Sequence, residues 1–419
     1  MFSIYRGISQ DAKYLIYQSI LPAVAYGMLY TDLSYFLTTV QGLSFEFMGL
    51  VVTVMGVSTF VASVPLGVAA DRYGRKKMLV VGNILAGLII VLFAITTDPA
   101  VLLAAAVFEG ISEAAFSASS GALLAEKANS SLRNSTFALF GFAQSIAYGV
   151  GSLAIPAVVV FEILGFTNKT SHALLFVTLA CLSLISTVIL VKVKESRRVQ
   201  KTQPEQVTKA ANLAHKESQK TLTKYVLTSA IIAFGAGLVV PLMTAWLSKA
   251  YGVPDTISGP ILGVTSLFIG VATLAAPALA KRIGLIKAIV LTQAVSTVFM
   301  FATPLSSSYV VASSVYTVRA FLMNMASPLS QSMIMGLVDE DMRGAASGVN
   351  AALWRLPNAL STLIGASLIG AGLLALPFFL ASLLYVVSIA LFWYFFRKIR
   401  MPEESLPTDI SDPSEKQHE

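Results

Sequence analysis

Apolar runs of about 20 residues recur along the whole chain, each bounded by short polar or glycine- and proline-containing breaks. Each is long enough to cross about 30 Å of hydrocarbon as a helix. The pattern predicts spans at 14–38, 47–70, 77–97, 100–126, 135–161 and 170–193. A second set follows at 223–250, 257–280, 286–304, 308–337, 344–371 and 374–397. Between the sets, residues 194–222 are polar and charged, with Pro204 inside, and read as a linker. Residues 401–419 are acidic, contain Pro and Ser, and read as a disordered tail. One soluble core cannot use so much apolar sequence, whereas a bundle of membrane helices can. The first run is too long for the core of a signal peptide and reads as the first span.

Composition supports this reading: 56% of residues are hydrophobic and 12% charged, about half the charge of an ordinary soluble domain. The net charge of +7 would suit a nucleic-acid partner, but its placement argues against one. Arg72, Arg75, Lys76 and Lys77 share one loop. Lys192, Lys194, Arg197, Arg198 and Lys201 follow another span. Lys281, Arg282 and Lys287 occupy a third basic loop, and Arg397, Lys398 and Arg400 follow the last span. The alternate loops near 41–46, 96–99 and 303–308 carry no Lys or Arg, and Lys169 and Lys249 are the departures. This alternation places the basic loops and both termini in the cytoplasm, with an even number of spans in a cell membrane. The single cysteine, Cys181, excludes an internal disulfide framework.

The two sets of spans echo each other at a constant offset of 210. Asp71, Arg72 and Gly74 correspond to Lys281, Arg282 and Gly284. Gly49 corresponds to Gly259, Ser117 to Ser327, Ser120 to Ser330, and Arg133 to Arg343. A duplicated membrane chain is a common build for alternating-access transporters. The expected organisation is an N-terminal bundle over 1–193, a linker over 194–222, a C-terminal bundle over 223–400 and a tail over 401–419.

The run Gly67-x-x-x-Asp71-Arg72-x-Gly74-Arg75-Lys76-Lys77, between the second and third of twelve spans, resembles the signature loop of the major facilitator superfamily. The second copy is degraded, with Lys281 and Leu285 where an acid and an Arg would stand. The resemblance covers about residues 10 to 400. It implies an all-α membrane protein of twelve transmembrane helices in two pseudo-symmetric six-helix bundles. Spans 1, 4, 7 and 10 would line a central cavity open to one side at a time, with 2, 5, 8 and 11 contributing. It further implies a cytoplasmic gate in which Asp71 meets the start of the eleventh helix near Gly344, and Arg75 pairs with Glu126. A carboxylate is favoured at a helix N-terminus. The family's antiporter motif is only approximated, by Tyr148 to Pro156, and its fourth-span Arg is replaced near Ala106 or Glu109.

A charge in mid-membrane costs about 2.5–3.5 kcal/mol on insertion scales and needs a reason. Five stand out: Asp32 in span 1, Glu109 and Glu113 in span 4, Arg319 in span 10 and Arg355 in span 11. Glu109, Glu113, Ser117 and Ser120 fall on one helical face. Two carboxylates one turn apart repel and are partly desolvated, so they are candidates to take up and release a proton; the alternative is a fixed ion pair within the bundle. Asp32 is either a further protonation site or a polar group near the outer mouth. Span 10 repeats the face with Arg319, Met323, Ser327 and Ser330, with Gln331 beside it. The offset relates Arg319 to Glu109, which suggests an ion pair between halves. Arg319 could instead bind an anionic solute or pair within its own half. Arg355 lies between Trp354 and Pro357, suited to contact a solute or to shape a helix kink. Gln144 and Tyr148 correspond to Trp354 and Asn358, and all four are candidate cavity liners.

No enzyme constellation emerges. His172, His215 and His418 fall in an outer loop, the linker and the tail, so neither a metal site nor a triad is expected. Gly149-x-Gly151 lies inside a span and no Walker motif is present. The expectation is a monomeric carrier in the lipid bilayer, not an enzyme, with no cofactor and no nucleic-acid partner. It would move a small organic solute by alternating access, driven by a proton gradient. Export of drug-like or metabolite compounds is the first reading; uptake of an organic anion or sugar-like solute is the second, and a transporter-shaped sensor the third.

Overall fold

The computed structural model describes residues 7–128, 132–194, 209–337 and 343–398. Among them fourteen α-helices form twelve rods. The first half holds α1 (Gln10–Tyr35), α2 (Phe45–Tyr73), α3 (Arg75–Ile95), α4 (Pro99–Lys127), α5 (Arg133–Leu153), α6 (Val158–Ile163) and α7 (Asn168–Ser186). The second holds α8 (Lys209–Gly237), α9 (Met243–Tyr251), α10 (Asp255–Ile283), α11 (Leu285–Ala302), α12 (Tyr309–Leu337), α13 (Arg343–Gly370) and α14 (Leu376–Phe396). Short 3-10 turns at Ile155–Ala157 and Val240–Leu242 join α5 to α6 and α8 to α9. Each contains a proline, which removes a ladder donor and bends the rod. Nine segments among the described residues are long and apolar enough to cross a membrane. The helices α1, α12 and α13, outside those nine, carry Asp32, Arg319 and Arg355.

The offset of 210 reappears in the helix ends. Helix α2 begins at Phe45 and α10 at Asp255, α3 at Arg75 and α11 at Leu285, α4 at Pro99 and α12 at Tyr309. Gly74 and Gly284 end α2 and α10 at φ 108° and 87°, backbone that favours glycine. Packing repeats as well. In the first half α1 packs on α5 and α7, α4 on α2 and α3, and α3 on α7. In the second, α8 packs on α13 and α14, α12 on α10 and α11, and α11 on α14. Even single bonds correspond. Ser152 Oγ donates to the Gly27 carbonyl at 3.1 Å, and Thr362 Oγ1 to the Gly237 carbonyl at 3.0 Å. A Cβ on Gly27 or Gly237 would overlap the backbone of Tyr148 or Asn358, so both glycines permit close helix approach.

Two seams join the halves, α2 on α13 and α5 on α10. Both lie toward the face whose loops lack the basic runs. Thr53 Oγ1 donates to the Ala359 carbonyl at 2.8 Å, Gly49 abuts Ala366, and Gly149 faces Gly263. Thr244 Oγ1 donates to the Thr31 carbonyl between α9 and α1. Toward the basic face, Gly67, Gly121 and Gly141 have no atom within 4 Å of where a Cβ would lie. Among the described residues the halves therefore meet at one face and part toward the other, leaving a cleft that opens on the basic side.

The helix α8 starts at Lys209, earlier than the expected 223, because the run Lys-Ala-Ala-Asn-Leu-Ala-His-Lys-Glu is rich in helix formers and extends the rod past its apolar part. Of the expected linker, residues 209–222 are helical, and residues 195–208 lie outside the described residues. The tail lies outside the described residues.

Candidate functional site

At mid-depth of the cleft, Glu113 is held by three helices. Arg355 Nη1 of α13 forms an ion pair with Oε1. On Oε2, Tyr30 of α1 and Thr59 of α2 each donate at 3.4 Å. Close backbone approach builds this junction. Gly110 on α4 lies against Met55 and Ser58 of α2, and Gly56 on α2 lies against Ala359 and the Arg355 carbonyl of α13. The helix α2 thus brings α4 and α13 within reach of each other. The pair is partly open to the cleft, with side-chain exposures of 33% for Arg355 and 23% for Glu113. Tyr26 and Tyr30 stack beside it with ring centroids 5.6 Å apart.

Glu109, one turn away, is fully buried. Its Oε2 accepts from Ser112 Oγ at 3.3 Å, Ser112 lies 3.5 Å from the Tyr26 hydroxyl, and Oε1 has no hydrogen-bond partner. The suggested pairing of Glu109 with Arg319 is not present. Arg319 is 4% exposed and donates from Nη2 to the Tyr385 hydroxyl of α14 at 2.5 Å. Its guanidinium lies 5.6 Å from the ring centroids of both Tyr316 and Tyr385. Arg319 is therefore a packing centre of its own half. Tyr385→Phe should leave this buried cation without its hydroxyl acceptor, at a cost of about 1–3 kcal/mol. Thermal unfolding of the detergent-solubilised protein should report a lowered midpoint, with no change in ion coupling.

Among the other candidates, Asn358 Nδ2 donates to the Ala233 carbonyl at 3.3 Å and ties α13 to α8. Trp354, Ser327 and Gln331 are exposed, while Gln144 and Tyr148 are half-buried. Ser120 and Ser330 are buried, so the expected polar faces do not run unbroken. At the basic face Arg75 donates to Asp71 at 2.8 Å and approaches Glu126 at 3.7 Å. Asp71 is 67% exposed, and the side chains near Gly344 lie outside the described residues. Gly67 stands in open space, and Arg72 lies over the Tyr73 ring, 5.5 Å from its centroid. Lys76 donates to the Val193 carbonyl at 2.8 Å, closing the end of the sixth rod.

A second polar cluster lies near the closed face. His172 is not in a loop: it sits in the first turns of α7, fully buried. Its Nε2 lies 2.8 Å from Asp255 Oδ2 on α10 and 3.9 Å from Asp32 Oδ2 on α1. The sequence reading missed both His172 and Asp255. One signal was available, because a buried Asp32 needs a cationic neighbour and that face offers only His172, Lys169 and Lys249.

A model of the Major Facilitator Superfamily matches the sequence over residues 15–362 and again over 225–416. The chain belongs to the major facilitator superfamily. It is a multi-pass membrane transporter. The fold is similar to a point mutant of the nucleoside transporter NupG, with a TM-score of 0.74 and 13% identity, covering 92% of this chain and all of that one. A bacterial homolog of the human lysosomal transporter Spinster, inward-facing and unoccupied, gives 0.74 and 13% over 92% and 96%. The human organic anion transporter MFSD10 gives 0.61 and 16% over 91% and 98%. No curated protein matches the sequence.

Proposed function

We propose that this transporter couples proton movement to the export of small, partly apolar organic compounds, with the basic face in the cytoplasm. The carrying observation is the Glu113–Arg355 ion pair, which ties one half to the other at mid-depth of the cleft. Glu109 lies one turn away with an oxygen unpartnered. Ionised, Glu113 holds Arg355 and favours the arrangement closed at the opposite face. A proton taken up by the carboxylate pair removes the charge that Arg355 meets and frees the halves to rock. Aromatic surface from Tyr26 and Tyr30 beside the pair suits an apolar solute. Asp32 lies in the other cluster and takes no part in this cycle.

A second reading, uptake of an organic anion, draws on the partial exposure of Arg355, since an anionic solute could compete with Glu113 for the guanidinium. The test uses proteoliposomes with a trapped pH dye and an imposed pH gradient. Drug-like cations, sugars and carboxylates are added as separate probes. At least one class should move protons in the native protein. Glu113→Gln should leave solute counterflow but cut gradient-driven movement at least tenfold, and Glu109→Gln should act in the same direction. Unchanged coupling in both variants would refute the assignment.

A further inference from the structure

We propose that Asp32, His172 and Asp255 form a binding site for one divalent transition-metal ion, which locks the two halves together at the closed face. The three side chains come from three helices and from both halves, and all are buried. One ligand atom from each lies within 4.8 Å of the other two. Around an ion held at about 2.0–2.2 Å from imidazole nitrogen and carboxylate oxygen, tetrahedral ligand atoms lie about 3.3–3.6 Å apart, so binding opens the 2.8 Å contact of His172 with Asp255 and draws Asp32 Oδ2 in from 3.9 Å.

The imidazole is oriented as a ligand. His172 Nδ1 lies 2.8 Å from the Asn168 carbonyl one turn earlier, so that nitrogen carries the proton and Nε2 faces the carboxylates. A backbone carbonyl behind the ring is a common support for a metal-bound histidine. Asp32 supplies the independent sign of a missing partner. Neither of its oxygens accepts a hydrogen bond, although the residue is 0% exposed.

Charge is compatible with such an ion when both carboxylates are ionised. A doubly charged ion beside neutral His172 brings the sum to zero, and any proton shared by His172 Nε2 and Asp255 Oδ2 leaves for water. Other charged groups nearby are paired elsewhere or face outward. Lys249 donates to the Gly370 carbonyl at 2.8 Å and lies over Phe45. Glu162 accepts from Asn168 at 2.7 Å, and Lys169 is exposed. The single imidazole favours Zn²⁺, Mn²⁺ or a similar ion over Ca²⁺ or Mg²⁺. Asp255 belongs to one half and Asp32 and His172 to the other, so an ion bound by all three stabilises only the arrangement in which this face is closed.

The site can be tested without any transport assay, so its failure is separate from failure of the proton-coupling scheme. Full-length protein in nanodiscs is titrated with Co²⁺, whose visible absorption reports coordination, and then with competing Zn²⁺. In a Cys181→Ser, Thr244→Cys background, labelling by a membrane-impermeant maleimide reports opening of the closed face. One equivalent of Co²⁺ should bind with a new visible band and slow labelling at least tenfold. His172→Ala and Asp32→Asn should each weaken binding at least tenfold and remove the slowing. Asp255→Asn is the fallback should either variant fail to fold. No visible band, or binding unchanged in folded variants, would overturn the proposal. It would fall equally if labelling followed pH through His172 while ignoring metal, which would make the cluster a proton latch.

Discussion

Arg355→Ala should abolish gradient-driven transport, with a loss of at least a hundredfold, and should also lower stability. The guanidinium is the cationic partner of Glu113, and removing it leaves a carboxylate on α4 facing a site built for an ion pair. Breaking a fully buried pair costs about 3–5 kcal/mol. Exposure of both groups to the cleft reduces this to about 1–3 kcal/mol, because water partly replaces the lost partner. The kinetic loss is larger because the bond spans the halves, so its making and breaking is the proposed coupling event. Arg355→Lys separates charge from geometry. A lysine keeps the charge but has no planar fork, and should restore stability more than coupling. The measurement pairs unfolding midpoints with proton flux in the same proteoliposomes. Full coupling in Arg355→Ala would leave the ion pair as packing alone.

The architecture was legible because a membrane helix announces itself by length and apolarity, and duplication by a fixed offset. Phe45 and Asp255, or Pro99 and Tyr309, start their helices 210 residues apart, as the motif echoes implied. The same offset misled where it was used to find a contact. Glu109 and Arg319 occupy related places on α4 and α12, but relation by pseudo-symmetry is not proximity. The halves meet through α2 on α13 and α5 on α10. Glu113 therefore finds Arg355, which α2 brings near, while Arg319 turns to Tyr385 inside its own half. His172 was hidden differently. The outermost turn of a span reads as loop, and nothing in the hydropathy pattern shows that α1, α7 and α10 converge there. Small residues that set the seams, such as Gly56 and Gly149, are also indistinguishable in sequence from glycines that merely tolerate packing.

Gly56→Trp should trap the transporter with its closed face open and reduce transport at least tenfold. A Cβ at Gly56 would overlap the Ala359 side chain across the seam, and Thr53 and Gly49 on the same helix already touch α13. An indole has no space there unless α2 and α13 separate. Overpacking of a tight site costs about 1–3 kcal/mol. Inside a single packed core that energy would be lost from folding. Here the seam is also the surface that parts when the halves rock, so the strain can be relieved by a change of state. At about 1.4 kcal/mol per factor of ten, the balance between states shifts about 5- to 140-fold toward the one in which this seam is open. The Thr244→Cys label in the Cys181→Ser background should therefore react at least about fivefold faster, because Thr244 is buried against the Thr31 carbonyl only while the face is closed. The unfolding midpoint should fall by much less than such an insertion costs within one half, for example at Gly27, whose Cβ would strike the Tyr148 backbone of the same half. Unchanged labelling together with lost stability would mean that α2 and α13 stay joined throughout the cycle, and the moving surface would have to be sought elsewhere.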